Sequence, residues 1–347
     1  MMKTTNKGQP HFYGGQAVME GVMMRGKAVY AMAVRKPNGD ISVVTRPIKD
    51  PAQKRPWLKL PIVRGIGAFV AALVIGMKTL TESAEIATDG EPEEELSRFE
   101  SFLKDKLGDK VNDILIQVSV VLAIAFSVLL FVLLPLWIGS GLNFLVAGHP
   151  SLLGIIEGLA RLSIFLIYVL LISRSKEIRR VFQYHGAEHK VINGHEQGAE
   201  LTVDNIQNYS RLHNRCGTSF LLIVMFISIL VFAFVRTPDP WLRLVSRLVL
   251  IPVVAGISFE VIRWAGRSQN ILVKIISFPG LCLQRITTAE PDALQVETAI
   301  TALQTVLEAE STGNIIEESR IDIICEPSEA FVSDEYVSAI GKSFGDT

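Results

Sequence analysis

The sequence is poor in charge. Asp, Glu, Lys and Arg make up 20% of its 347 residues, against 49% apolar residues, and mean hydropathy is +0.35. That balance argues against the pair of soluble domains that length alone would suggest. Cysteine is scarce too. Three Cys and six His exclude a disulfide-stapled mini-protein and a zinc-ribbon array, and the odd count gives no sign of an oxidising compartment. The net charge of −1 lacks the excess of one sign that nucleic-acid binders carry, so no specific DNA binding is expected. No G-x-x-x-x-G-K-[ST] and no G-x-G-x-x-G between a strand and a helix is present, so there is no phosphate cradle. The nucleophile elbow G-x-S-x-G is missing as well. The first apolar run begins only at residue 62, behind a polar leader, and no signal peptide is expected.

What charge there is lies unevenly. Residues 1–60 carry eleven Lys/Arg against three Asp/Glu, residues 82–113 four against eleven, and residues 305–347 two against ten. Between them lie long apolar stretches. Residues 114–156 hold no charged side chain, a run too long for one span and broken at Pro135 and Gly139–Gly141. Since a span needs ~20 apolar residues, transmembrane helices are expected at about 114–137, 152–173, 217–235 and 244–264. Glu157 and Arg161, four apart in the second, would share a face and pair with each other. The run 62–80 carries Arg64, Lys78 and three Gly, and reads as interfacial or re-entrant; 271–283, short and broken at Pro279, reads as interfacial. Basic residues after the second and fourth spans (Arg174, Lys176, Arg179, Arg180, Arg263, Arg267) place both termini in the cytoplasm of a multi-pass plasma-membrane protein.

The fold class expected is therefore a polytopic α-helical membrane protein of about four transmembrane helices with a small N-terminal β-rich portion. Its divisions are a β-rich region (1–61), an interfacial helix and acidic linker (62–113), a transmembrane hairpin (114–173), a His/Glu/Cys loop (174–216), a second hairpin (217–265), an interfacial segment with an amphipathic helix (266–310) and an acidic flexible tail (311–347). Within the first, 28–35 and 40–45 read as strands joined by a type I′ turn at Asn38-Gly39. Within the sixth, 291–310 reads as a helix with an acidic first turn and a stripe of Leu294, Ala299, Leu303, Val306 and Leu307.

Ligand-type side chains gather in 174–216. Tyr184-His185-Gly186-Ala187-Glu188-His189-Lys190 contains H-x-x-E-H. On a helix His185 and His189 stand one above the other and can share a metal, with Glu188 close to the same face as a general base. His195 and Glu196 follow, and His213 and Cys216 come where the chain enters the third span. Four of the six His thus lie within 29 residues. Zinc or another divalent ion held by His185 and His189, with His213 or Cys216 completing the set, is the expected cofactor. The bland alternative is a polar loop whose His side chains cap helices and bond carbonyls. A single site requires the chain to fold back on itself before Cys216. Glu260, in the fourth span, is a further candidate ligand; its alternative is an ion pair with a nearby Arg.

Four motifs, in order, resemble one family. They are Gly14-Gly15-Gln16-Ala17-Val18-Met19-Glu20-Gly21-Val22-Met23-Met24-Arg25-Gly26, the 184–190 segment, Leu212-His213 with Arg215-Cys216-Gly217-Thr218-Ser219-Phe220, and Pro279-Gly280-Leu281 through Gln284 with Thr287-Thr288 and Glu290-Pro291-Asp292. The chain resembles, over about residues 12–307, the bacterial membrane family of domain of unknown function 1385 (YqhQ-like). The resemblance implies a membrane protein and a metal-dependent enzyme, without a substrate. The family pattern carries an aromatic where this chain has His195, so it extends no ligand role to that residue.

Two functions are expected to compete. One is a metal-dependent hydrolase at the cytoplasmic membrane face, with Glu188 as general base. The other is a non-enzymatic assembly, insertion or scaffold factor that binds a protein or ribosomal partner through its basic N-terminal region. In either, the bilayer and an unidentified substrate or protein are the partners, with oligomerisation open.

Overall fold

The computed structural model describes residues 13–48, 60–90, 111–142, 144, 150–234, 240–265, 270–313 and 319–324. The acidic linker at 91–110 and most of the tail lie outside the described residues.

The N-terminal strands are β1 (Gly14–Val18), β2 (Gly21–Arg25), β3 (Val29–Arg35) and β4 (Ile41–Pro47). They form an antiparallel meander. Two residues, Met19-Glu20, turn β1 into β2, and Glu20 sits at φ 49°. The β3–β4 turn differs from the expected type I′. Only Gly39 has positive φ (97°), and Gly39 N–H bonds Lys36 O at 3.0 Å. Pro37, with φ fixed near −65°, suits the second position of an ordinary turn, leaving Gly39 as its left-handed closing residue. A fifth strand, β5 (Ser319–Ile323), pairs antiparallel with β4. It comes from the stretch expected to be flexible tail. Five residues of alternating burial are too short a signal to read beside so many carboxylates.

All seven residues of β3 are buried, because both faces of the sheet are covered. Val29, Ala31 and Ala33 join a core with Tyr184, Ala187, Val191, Val296, Ile300 and Leu303, whereas Tyr30, Met32 and Val34 join Val18, Val44 and Ile86. The period of two along a strand splits the residues between these cores.

The helices are α1 (Val63–Ala87), α2 (Val111–Val128), α3 (Leu134–Gly141), α4 (Pro150–Ile172), α5 (Lys176–Glu196), α6 (Val203–Ile206), α7 (Gly217–Phe234), α8 (Pro240–Ala265), α9 (Ile271–Thr287) and α10 (Ala293–Thr312). A wide π turn, Leu129–Leu133, joins α2 to α3. Five stretches are long and apolar enough to cross a membrane by length and composition: Val63–Ala87, Gln117–Gly141, Leu152–Ile172, Gly217–Phe234 and Leu244–Trp264. That is one more than the sequence count, the addition being α1. Their outward faces carry Val121, Leu122, Ile167, Leu230 and Val249, all exposed, as lipid-facing helices require.

Glu157 and Arg247 pair across helices inside this bundle. Glu157 was expected to pair with Arg161 one turn along. Instead its carboxylate takes Arg247 of α8 at 2.6 Å, both side chains at most 4% exposed. Arg161 Nε donates to Phe131 O in the π turn at 2.8 Å, and the Arg247 guanidinium lies 4.1 Å from the Phe232 ring centre. Gly139 makes room, since a Cβ there would stand 2.4 Å from Glu157 Cγ.

Helix α10 opens with a capping box. Asp292 accepts from Gln295 N–H at 2.8 Å, and Gln295 Oε1 accepts from Asp292 N–H at 3.0 Å. Val296, Ala299, Ile300, Leu303 and Val306 are buried beneath the sheet and α5, whereas Leu294 of the expected stripe is exposed.

Candidate metal centre

The 174–216 segment, expected to link two spans and to set His185 and His189 on a helix, is mostly helix. The chain turns at 173–175, runs as α5 to Glu196, and folds back through α6 to the first turn of α7. That return meets the condition for one site. The donor atoms of His185, His189 and Cys216 all lie within 4.8 Å of one another. His185 Nε2 is 3.2 Å from Cys216 Sγ, and the two imidazole centres are 4.4 Å apart.

Backbone carbonyls orient both rings. His185 Nδ1 meets Thr287 O at 2.8 Å, and His189 Nδ1 meets Arg211 O at 2.6 Å. A carbonyl only accepts, so each Nδ1 carries the proton and each Nε2 presents its lone pair. That is the arrangement metal-ligating histidines adopt. His189 Nε2 is buried with no hydrogen-bond partner among the described residues, an omission that costs ~1–3 kcal/mol if nothing fills it. Cys216 Sγ receives Thr218 N–H at 3.3 Å and lies 3.1 Å from Thr218 Oγ1. Two imidazoles and a thiolate suit zinc among divalent ions. The residues present therefore fit the ion that the sequence suggested.

Of the two residues expected to complete the set, Cys216 is within reach and His213 is not part of the group. His213 Nε2 faces Glu196 at 3.6 Å, and its ring centre is 5.7 Å from that of His189. Burial, then the neighbouring His189 and Arg215, lower its pKa to about 4, so it stays neutral. His195 packs edge-on against Tyr13 instead of joining the cluster. Glu260 binds Arg64 of α1 through two oxygens, its Oε1 at 2.6 Å from Arg64 Nε.

Glu188 is buried, 5% exposed. Desolvation raises its pKa, against smaller lowering effects from His185 and from the Gly15 backbone N–H. Gly15 is what admits β1 here, since a Cβ would come 2.9 Å from Glu188 Cγ. Gly186, a poor helix residue, is explained likewise. A Cβ would stand 2.1 Å from Ala289 O, where the α9–α10 link crosses α5 and Ala289 N–H donates to Phe182 O at 2.8 Å.

Gln284 was not singled out as a site residue. Fully buried in α9, it accepts from His213 N–H at 2.9 Å and donates to His213 O at 2.8 Å and to Ser219 Oγ at 3.0 Å. It thereby fixes the strip that carries Cys216. A glutamine within a mostly apolar helix, inside the fourth family motif, was the available signal; the carbonyls of Arg211 and Thr287 gave none.

Fold and site together define a helical membrane protein that carries a sheet-bearing body with a His/His/Cys cluster where that body meets the bundle. The chain belongs to the family described as "Protein of unknown function (DUF1385)", whose model matches residues 60–309. It is 40% identical over 304 residues to "Uncharacterized protein YqhQ" of Bacillus subtilis (strain 168), covering 87% of this chain and 94% of that protein. No solved structure matches.

Proposed function

We propose that the protein is a metal-dependent hydrolase at the cytoplasmic face of the plasma membrane. The observation that carries the reading is the buried His189 Nε2, without a hydrogen-bond partner among the described residues, in a group whose donor atoms, with those of His185 and Cys216, lie within 4.8 Å of one another. Those three atoms would hold a divalent ion, zinc by donor type. When bound, it supplies Lewis acidity toward a carbonyl or phosphoryl oxygen and toward water. Glu188 would accept the proton that an attacking water gives up as its oxygen adds to that carbonyl or phosphoryl centre. Its burial raises its affinity for one, which moves a carboxylate toward the range where general bases work, and Gly15 N–H fixes its orientation. The basic ends of α4, α5 and α8 support the cytoplasmic side. Lipid-like and peptide substrates both suit a site at the first turn of α7.

The test is metal content of detergent-purified protein and of a His185→Ala/His189→Ala variant, with ester, phosphoester and peptide probes applied to Glu188→Gln. About one ion per chain, absent from the double variant, supports the site, and Glu188→Gln should keep the ion and lose ~10²–10⁴-fold in turnover. No ion in the folded parent protein overturns the reading. One observation favours the scaffold alternative. Glu188 is 5% exposed, as in a closed structural site, and in that case Glu188→Gln would leave cellular function intact.

A further inference from the structure

Helix α1 has the length and composition of a span, yet its contacts describe a different path. Its last turns belong to the sheet. Ile86 is buried among Val18, Met32 and Val44, Ser83 Oγ accepts from Met19 N–H at 3.1 Å, and Gly76 abuts Gln16. Its first turns touch the sheet-side halves of the spans. A Cβ on Gly65 would stand 2.9 Å from Gly256 O, Phe69 packs on Phe220 at 5.9 Å, and Arg64 holds Glu260. Gly256 lies nine residues before the end of α8 at Ala265, ~13 Å at 1.5 Å per residue. Phe220 lies one turn inside α7, whose start is the metal cluster. From residue 65 to residue 76, then, α1 descends from less than half the ~30 Å depth of a bilayer core to the level of the sheet.

Connectivity points the same way. The sheet strands precede α1, and its C-terminal end returns to them. Were α1 to cross, residues 49–59 would have to cross back, and these eleven include Lys49, Asp50, Lys54, Arg55 and Lys59, a density of charge that an acyl layer rejects. Meanwhile Val70, Leu73, Val74, Met77 and Leu80, at helical spacing on the face away from the sheet, are all exposed. On the other flank of α7, α9 repeats the pattern. Gly280 abuts Ser219, while Ile271, Ile275 and Phe278 are exposed.

We infer that α1 is a tilted, half-inserted helix of the leaflet on the sheet's side, and that its exposed stripe is seated in the acyl chains of that leaflet. It does not span. The neighbouring helices α7 and α8, long and apolar enough to cross a membrane, also carry exposed apolar side chains such as Leu230 and Val249, which makes lipid the occupant of the stripe. The four remaining long helices carry the crossings, and residues 13–48 and 88–90 lie on one side. Because β1 is clasped between α1 (Gln16 on Gly76) and α5 (Gly15 on Glu188), this helix ties the bilayer surface to the metal cluster. The inference holds whether or not that cluster is catalytic.

The test uses the full chain in sealed vesicles of both orientations, with Cys282→Ser and Cys325→Ser and with buried Cys216 retained. Single variants Lys27→Cys on the sheet, Leu60→Cys before α1 and Thr88→Cys after it are treated with an impermeant maleimide. All three should label from the same side and lose labelling from the other. A nitroxide on Val74→Cys should collide with oxygen in preference to a water-soluble nickel chelate. Labelling of Leu60→Cys and Thr88→Cys from opposite sides would overturn the inference by making α1 a span. A nitroxide shielded from both reagents would overturn it by placing a second copy of the chain on the stripe.

Discussion

Gly186→Ala sets two effects of opposite sign against each other. Gly in a helix interior is ~1 kcal/mol less favourable than Ala, so propensity by itself has the variant stabilise α5. The structure places the new Cβ 2.1 Å from Ala289 O and 3.4 Å from Pro291 Cδ. A carbon–oxygen contact needs roughly 1 Å more, and Ala289 O is backbone. The link must therefore move, and it is tied down by Ala289 N–H to Phe182 O, Thr287 O to His185 and Thr288 O to Arg211. Overpacking costs ~1–3 kcal/mol and a lost hydrogen bond ~1 kcal/mol, which together exceed the gain in propensity. The net expectation is ~1–3 kcal/mol of destabilisation, or about 5 °C in Tm at 2–4 °C per kcal/mol. Displacing Thr287 O also frees the His185 ring, so zinc affinity should fall ~10-fold. Thermal unfolding in detergent and zinc competition with a chromophoric chelator measure the two. A Tm that stays or rises would refute the reasoning, for it would mean that α5 and the α9–α10 link are not in contact at residue 186.

Three further outcomes follow from the same geometry. Gln284→Leu leaves His213 N–H and C=O buried without partners, which should cost ~2–4 kcal/mol in unfolding free energy and weaken zinc binding, whereas a loss of stability with unchanged affinity would contradict its role in placing Cys216. Glu157→Gln or Arg247→Met alone, by breaking a buried pair, should cost ~3–5 kcal/mol, and the double variant with Glu157→Leu should cost less than either, as read by unfolding in detergent. Strand β5 should loosen in acid: Lys36 lowers the pKa of Asp322 by hydrogen bonding it at 2.8 Å, so its contribution is complete above the ordinary Asp value of ~3.9 and disappears as pH falls through the lower folded value. Hydrogen exchange at Ile321 should report that loss, and it should be small, because the carboxylate is half-exposed.

Apolar runs of span length, the Ala28–Thr45 hairpin region and the 293–312 helix were all legible along the chain, because hydrophobic periodicity and capping chemistry act over a few residues. So were His185 and His189 as candidate ligands, with His213 or Cys216 to complete the set, since the i, i+4 spacing of the two His is a property of one helix. What was not legible depends on segments distant in sequence. Glu157 prefers Arg247, 90 positions away, to its neighbour Arg161, because the buried carboxylate takes the guanidinium that the bundle delivers and Arg161 has a carbonyl to bind. Cys216 rather than His213 joins the histidines because Gln284 grips the backbone of His213 and its imidazole faces Glu196. Ser319–Ile323 becomes a strand only because β4 offers an unpaired edge. The run 62–80 already read as interfacial or re-entrant, but only the sheet that receives Ile86 shows where the end of α1 packs. Local sequence determined which segments are apolar, which are helical and which side chains could bind an ion. Tertiary structure decided which of them meet, because a donor's partner is chosen by burial and by the nearest unsatisfied group, and both exist only once the chain has folded back.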